Sequence, residues 1–516
     1  MAVPCVVKVL LWLFAGLVVL VGLVSIALIS VPSPVEHLLQ ARVLEALHQR
    51  YGPDVQFQNL QVNVIPVFRV TLDDFVLPNR GRADLPPFMT IKHVTAEAVP
   101  LQLLRKPVHL SWVKFDGLVI RIPPKQQQPP GQTPPPAKHV RLANFEIDRV
   151  DAEGTELYVL PRQEGREPMN WELRSLRLRS AGIGQPMSFT AELTNPKPPG
   201  LIHTTGRFGP WNTNTPSETE VSGRYDFRNA DLSIFNGISG ILSSVGDYTG
   251  VLENIIVDGT TDTPDFKLDT GAQPVHLATQ FHAVVDGTNG NTYLQPVDAH
   301  FLNSSVVAIG EVAGHKGVKG KSINLDIDIH NSRVQDMLAL ATPPSKPMLT
   351  GGLTAKAKLV IRPGNEKVLE KIQLKGTFKV NDARFASEKT KDTVASLSRR
   401  AQGRPDDLSI QDVPADMSGT FALRNATLSF SKLTFEIAGV NAEVKGSYGL
   451  KSETLNFTGE IKLQAHVSQT MKGAKRILFK PIDPLFARHN AGTYLPINVT
   501  GKRDDPQIKL DLKRVF

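Results

Sequence analysis

Hydrophobic and polar residues alternate along most of this chain. In "SINLDIDIH", Ser322 to His330, Ile323, Leu325, Ile327 and Ile329 fall on one side and Asn324, Asp326 and Asp328 on the other. A period of two belongs to a strand with one apolar and one wet face. The same alternation, rich in β-branched residues, runs through "VQFQNLQVNVIPVFRVTLDDFVL" from Val55, "VRLANFEIDRV" from Val140 and "LNFTGEIKLQAHV" from Leu455. At ordinary strand lengths this amounts to roughly 20 to 25 strands. The fold class read from the pattern is therefore mainly β with a few short helices. Helical patterns fall at Asp231–Val245, Ser332–Ala341, Lys389–Gln402 and Met471–Phe486.

The N-terminus departs from this pattern. Val9 to Ile29 is uncharged and mostly apolar, with Trp12, Leu13, Phe14, Leu17, Leu20, Leu23 and Ile26 along it. At ~1.5 Å per residue such a helix crosses a ~30 Å hydrocarbon core. Residues 1–31 therefore read as a transmembrane anchor. A cleaved signal peptide, with Ser25 and Ala27 near the cut, is the alternative. Lys8 favours a cytoplasmic N-terminus and places the remainder outside the cytoplasm. Residues 32–52 read as an amphipathic helix, with Ser33, Pro34 and Glu36 at its start and Val35, Leu39, Val43 and Leu47 on one face. It lies on the membrane or caps a sheet. A β segment follows over 53–122. The Pro/Gln-rich stretch 123–138 cannot pair in a sheet, because proline lacks the amide donor, and reads as an extended linker or hairpin tip.

The chain repeats itself. "VSGRYDFRNADLS" (Val221), "LKGTFKVNDARFA" (Leu374), "MSGTFALRNATLS" (Met417) and, more loosely, "VKGSYGLKSETLN" (Val444) each place an aromatic two residues after Gly223, Gly376, Gly419 or Gly446. Each reads as a hairpin-like unit that buries its apolar face only by stacking on its neighbours. "VDGTTDTPDFKLD" at Val257 also matches "VTGKRDDPQIKLD" at Val499. That pair suggests two similar halves, 139–270 and 271–516. The four aspartates of the first copy could be cation ligands. The second copy replaces Asp258 with Thr500 and Asp265 with Gln507 and gains Lys502 and Arg503, so both copies read as a corner between two strands.

Composition narrows the chemistry. The chain has 516 residues, a net charge of +8 and one cysteine, Cys5, which excludes a disulfide scaffold and a cysteine-based zinc site. The basic residues form no long run and no nucleic-acid motif, so a negatively charged membrane surface suits them as well as any polyanion. No hydrolase, protease, P-loop or EF-hand signature is present. His276 and His282 are the nearest metal candidates and sit in strand-like sequence. The carboxylate neighbours Asp73/Asp74, Asp406/Asp407 and Asp504/Asp505 would point to opposite faces of a strand and make no acid/base couple. Neither an enzyme nor a cofactor is expected. Lys472, Lys475, Arg476, Leu478, Phe479 and Lys480 in Met471–Phe486 interleave basic and apolar residues, as a membrane-surface helix does; a helix that caps the sheet is the alternative.

The order of these segments resembles the bacterial AsmA family. The residues that carry the resemblance are the anchor, the short helix, "FQNLQVNVIPVFRVTLDDFVLPN" and "TIKHVTAEAVPLQLLRKPVHLSWVKFDGLVIRI" near the start. Near the end they are "MSGTFALRNATLSFSKLTFEIAGVNAEVKGSYGLKSETLNFTGEIKL" and "KPIDPLFARHNAGTYLPINVTGKRDDPQIKLDL". The resemblance covers nearly the whole chain, and the Pro/Gln stretch departs from it. It implies an elongated, twisted sheet curled into a hydrophobic groove, as in the bridge-like lipid transfer proteins. It also implies a single-pass protein of the bacterial inner membrane with its bulk in the periplasm. Its partners would be that membrane, phospholipids and envelope or outer-membrane proteins, with no nucleic acid. The expected function is passage of phospholipids between inner and outer membrane in support of outer-membrane biogenesis. The groove would be lined by Ile323, Leu325, Ile327, Ile329, Phe457, Ile461 and Leu463. A chaperone for outer-membrane proteins and a polysaccharide-binding protein are the alternatives.

Overall fold

The computed structural model describes most residues from Gln56 to Asp511. Residues 1–55, 123–144, 161–168, 342–348 and 512–516 and several shorter loops lie outside the described residues. The N-terminal anchor, the helix after it and the Pro/Gln segment therefore lie outside them too.

The protein is mainly β, with 69% strand against 11% helix, so the helices are short inserts. The first strands are β1 (Gln56–Asn63), β2 (Phe68–Leu77), β3 (Met89–Ala98), β4 (Val108–Ile122), β5 (Phe145–Val159), β6 (Met169–Gly182), β7 (Met187–Pro196), β8 (Pro199–Phe208) and β9 (Glu220–Asp231). The next are β10 (Ile238–Ser239), β11 (Ile241–Val251), β12 (Asn254–Leu268), β13 (Val275–Val285), β14 (Thr292–Phe301), β15 (Ser304–Gly314) and β16 (Lys321–Arg333). The last are β17 (Leu349–Ile361), β18 (Ile372–Phe385), β19 (Ala415–Arg424), β20 (Thr427–Ile437), β21 (Val440–Gly449), β22 (Thr454–Leu463), β23 (Thr493–Lys502) and β24 (Asp505–Leu510). The helices are α1 (Val334–Ala341), α2 (Val368–Lys371), α3 (Glu388–Ala401), α4 (Lys475–Phe479) and α5 (Asp483–Phe486).

Two compact units divide the chain. The first takes residues 1–231, Leu242–Thr260 and Ala283–Thr292; the second takes Leu232–Ile241, Thr261–His282 and Tyr293–Phe516. In the first, strands β1 to β9 pair in sequence order. Their alternation is sharp: Met187, Phe189, Ala191 and Leu193 of β7 are buried, and Ser188 and Thr190 between them are exposed. Phe75, Met89, Ile91, Leu110, Ile120, Ile147, Leu173 and Ile202 are almost wholly removed from water. Burial of each such side chain contributes roughly 1.5–3 kcal/mol. This unit has a well-buried apolar core.

All pairings of β1 to β9 are antiparallel except β4 with β5, which is parallel from Val108↔Phe145 to Ile122↔Val159. The chain therefore leaves β4 at one end and re-enters β5 at the other, and residues 123–144 join parallel strands. The hairpin-tip reading of the Pro/Gln segment is corrected, because a hairpin joins antiparallel strands. Asp151 ties these strands together: its buried carboxylate accepts from Trp112 Nε1 of β4 at 2.8 Å and Arg177 Nε of β6 at 3.0 Å, and pairs with Arg149 at 2.6 Å. Burial pushes this carboxyl up, and the three donors outweigh that effect and hold it below its ordinary value.

Several sequence expectations meet the structure directly. Helices form at Val334–Ala341 and Glu388–Ala401. Asp231–Val245 is not a helix: a 3-10 turn over Leu232–Ile234 leads into β10 and β11. Gly237 and Gly240, at φ of 98° and 129°, break the helical path there. Met471–Phe486 is not one helix but α4, a 3-10 turn over Lys480–Ile482 and α5. Pro481 and Pro484 lack the donors that a continuous helix needs. Val257–Leu268, read as a corner, lies inside the single strand β12. Its Thr260, Thr261 and Thr263 favour extended backbone, whereas the copy at Val499 spans β23 and β24 and does change strand.

Candidate functional site: an open apolar face

In the second unit, strands β15 to β24 pair antiparallel in sequence order. Their register lines up apolar positions in rows that cross strand after strand. One row runs Ile329, Ala355, Phe378, Gly419, Leu433, Val444, Gly459, Ile497 and Leu510, each opposite the next. The row beside it runs Ile327, Ala357, Gly376, Phe421, Phe430, Gly446, Phe457, Val499 and Ile508. No charged residue interrupts either row. At ~4.8 Å between strands the rows extend for about 40 Å.

Glycine shapes this face. Gly376 lies opposite Phe421 while Phe378 lies opposite Gly419, so two Gly-Thr-Phe triplets meet head to tail. A Cβ on Gly376 would come within 2.1 Å of the Lys356 carbonyl oxygen, and one on Gly419 within 2.9 Å of the Phe378 ring. Gly446 leaves a gap between Phe430 and Phe457, and those rings close over it to 6.0 Å between centroids. Phe378 stands 6.2 Å from Phe421 and 6.4 Å from Phe430. These contacts form an aromatic run from β18 to β22. Tilted pairs at such distances contribute about 0.5–1.5 kcal/mol beyond area burial.

One end of the face is covered. Leu353, Val380, Ala383, Ala415, Ile437, Val440 and Leu463 form a buried cluster with Ala401 of α3. Helix α3 is capped by Ser387, whose side chain accepts from Thr390 N, and its Ser398 Oγ donates to the Ala438 carbonyl at 2.8 Å. Beyond that cluster most of the apolar side chains are half-buried, including all four phenylalanines of the aromatic run, and Ile497 is buried. At the last strand Ile508 is 66% exposed. In the first unit β7 buries its apolar positions fully, whereas in the second most stay partly accessible.

The structure brings Ile323, Leu325, Ile327, Ile329, Phe457 and Ile461 onto this one face and leaves them half-buried. Leu463 differs, being 6% exposed inside the covered cluster. Sequence reading missed Phe378, Phe421 and Phe430 as members of the face. The repeated Gly-Thr-Phe and the spacing of Phe430 from Phe421 were the available signal. The wet side of the same strands carries ion pairs, Lys358 with Asp326 and Lys356 with Asp328, each at 3.2 Å. A shallow hollow of about 940 Å³ over these strands is lined by Lys375, Thr377 and Thr420 together with the apolar Val307, Ile309, Ile327 and Phe421. Exposed pairs of this kind contribute about 0–1 kcal/mol each.

No cluster of three or more potential ligands for a metal ion occurs among the described residues. The aspartates of Val257–Thr270 have other partners. Asp262 bonds His276, Asp265 accepts from Ile241 N at 2.7 Å and Asp269 from Gly237 N at 3.0 Å. Among the described residues no helix is long and apolar enough to cross a membrane. Comparison with protein-family models, with curated proteins and with solved structures found no match for this chain.

Proposed function

We propose that the second unit is a groove for lipid acyl chains, and that the chain is a membrane-anchored carrier or bridge for phospholipids in the bacterial envelope. One observation carries this reading: apolar rows continue across nine strands without a charge, and the row from Ile327 to Ile508 stays partly accessible along its whole length. Each methylene moved from water onto such a surface contributes about 0.8 kcal/mol. A leaflet's hydrocarbon layer is about half of a ~30 Å core, so a ~40 Å row accepts two tails end to end. The headgroup stays in water at the open side, and no bond is made or broken. The AsmA-like order of segments and the apolar Val9 to Ile29 support the inner-membrane, periplasmic setting.

The test is lipid co-purification with the full chain. Ile327→Asp combined with Phe421→Asp puts two charges on the face and leaves the covered cluster untouched. Mass spectrometry is expected to find phospholipid with the wild type and at least about tenfold less with the double variant, since an aspartate in an apolar site costs several kcal/mol. Equal lipid in a folded double variant would overturn the reading. A second reading, strand addition by an outer-membrane protein, is favoured by β24, which among the described pairings joins β23 alone and exposes Ile508. Under that reading Ile508→Pro abolishes peptide capture and leaves co-purified lipid unchanged.

A further inference from the structure

We infer that the segment from His466 to Phe486, beside the covered end of the apolar face, is a docking point for an anionic lipid surface. Ile477 and Leu478 on α4 are 79% and 74% exposed, the highest values among the large hydrophobic side chains of the described residues. They are adjacent, and the rest of the segment holds them outward. Ala465 N donates to the Ala401 carbonyl at 2.7 Å, fixing the start of the segment to α3. Ser468 donates from its backbone N and its Oγ to the Asp483 carboxylate at 2.8 and 2.6 Å, closing the segment into a loop. Thr493 Oγ1 of β23 donates to the Ala465 carbonyl at 2.7 Å, a second bond that holds the start of the segment. A segment held at its start by Ala465 and closed on itself by Ser468 and Asp483 that still shows two large apolar side chains to solvent is built for a surface that takes them up.

Charge selects which surface. Lys475 and Lys480 flank the apolar pair and are exposed, and Arg476 adds a positive charge in sequence. Asp483 is already engaged by Ser468. Lys472 binds Asp406 at 3.0 Å, which ties in a second loop carrying Leu408, 68% exposed. Apolar side chains ringed by lysines match the boundary of an anionic bilayer, where the side chains enter the acyl region and each lysine stays with the headgroups. The inference rests on the lipid-groove reading for its purpose, since docking there sets the apolar face against a bilayer.

The test uses the full chain in phosphatidylcholine nanodiscs, mixed with free vesicles and separated by flotation. Vesicles holding phosphatidylglycerol are expected to carry the protein upward and pure phosphatidylcholine vesicles to carry far less. Ile477→Asp with Leu478→Asp is expected to reduce flotation at least tenfold, and Lys475→Glu or Lys480→Glu about fivefold or more each. All four positions are exposed, so folding is retained; circular dichroism checks this. Flotation unchanged by the apolar pair, equal flotation with neutral vesicles, or self-association lost with the same variants would each overturn the inference. A chain that docks but carries no lipid leaves it standing and removes the groove reading. A chain that carries lipid without docking removes this inference alone.

Discussion

The same small device recurs at the residue scale with two different outcomes. In the second unit, Gly-Thr-Phe of β18 faces Gly-Thr-Phe of β19. In the first, Gly-Arg-Tyr of β9 meets Gly-Asp-Tyr of β11: a Cβ on Gly223 would strike Tyr248, and one on Gly246 would strike Tyr225. The tyrosines are buried, so their hydroxyls need partners, which are Thr204 Oγ1 at 2.9 Å and Ser244 Oγ at 3.0 Å. The phenylalanines stay half-exposed and need none. Gly376→Ala is expected to lower stability by about 1–3 kcal/mol in urea unfolding, because its Cβ meets backbone that cannot move aside. A loss under about 0.5 kcal/mol, the range of an ordinary surface change, would refute that account. Burial pushes the Tyr248 hydroxyl up to about 12. The unfolded phenol ionises near 10, so stability from this group is complete below pH 10 and is lost as pH rises through about 12. Tyr248→Phe should flatten the alkaline part of the unfolding curve.

At the scale of elements, the parallel pair β4–β5 sets a length requirement. Each strand has 15 residues, about 50 Å at ~3.3 Å per residue. Residues 123–144 must return over that distance, which takes at least about 15 extended residues. Deletions that leave more are expected to keep the pairing; cutting below that number should expose β4 and β5 to hydrogen exchange and lower the unfolding midpoint. Unchanged exchange in the shortest variant would contradict the parallel register. Most elements were legible in sequence because the period of two is local: β16 and α3 fall where the pattern puts them. What stayed hidden depends on partners. Nothing near Pro123 says that its flanking strands run parallel, and nothing near Thr261 says that β12 continues straight. The left-handed Asp382 kinks β18 without ending it, while Asn425 and Ala426, both left-handed, turn β19 into β20. Similar repeat text thus gives a bulge in one copy and a turn in another. The site was legible only in outline. Alternation marked Ile323 to Ile329 as apolar, but only register puts Ile327 in line with Phe421 and Phe457.

For the molecule as a whole, two units built from the same kind of strand divide the work of burial differently. The first sinks most of its inward-facing apolar side chains and carries a buried Asp151 that its arginines satisfy. The second covers one end with α3 and leaves the rest accessible. Its strands nonetheless hold together, because each is hydrogen-bonded along its length to the next. The pairing order has a consequence for how the chain is made. Within each unit almost every described pairing joins strands adjacent in sequence, so contact order is low and loop closure costs little. Strands can add one by one as the chain emerges, each on an edge already waiting. Longer closures come between β4 and β5, between β18 and β19 and between β22 and β23, and a chain arrested at the first of these would still hold β1 to β4 as a finished block.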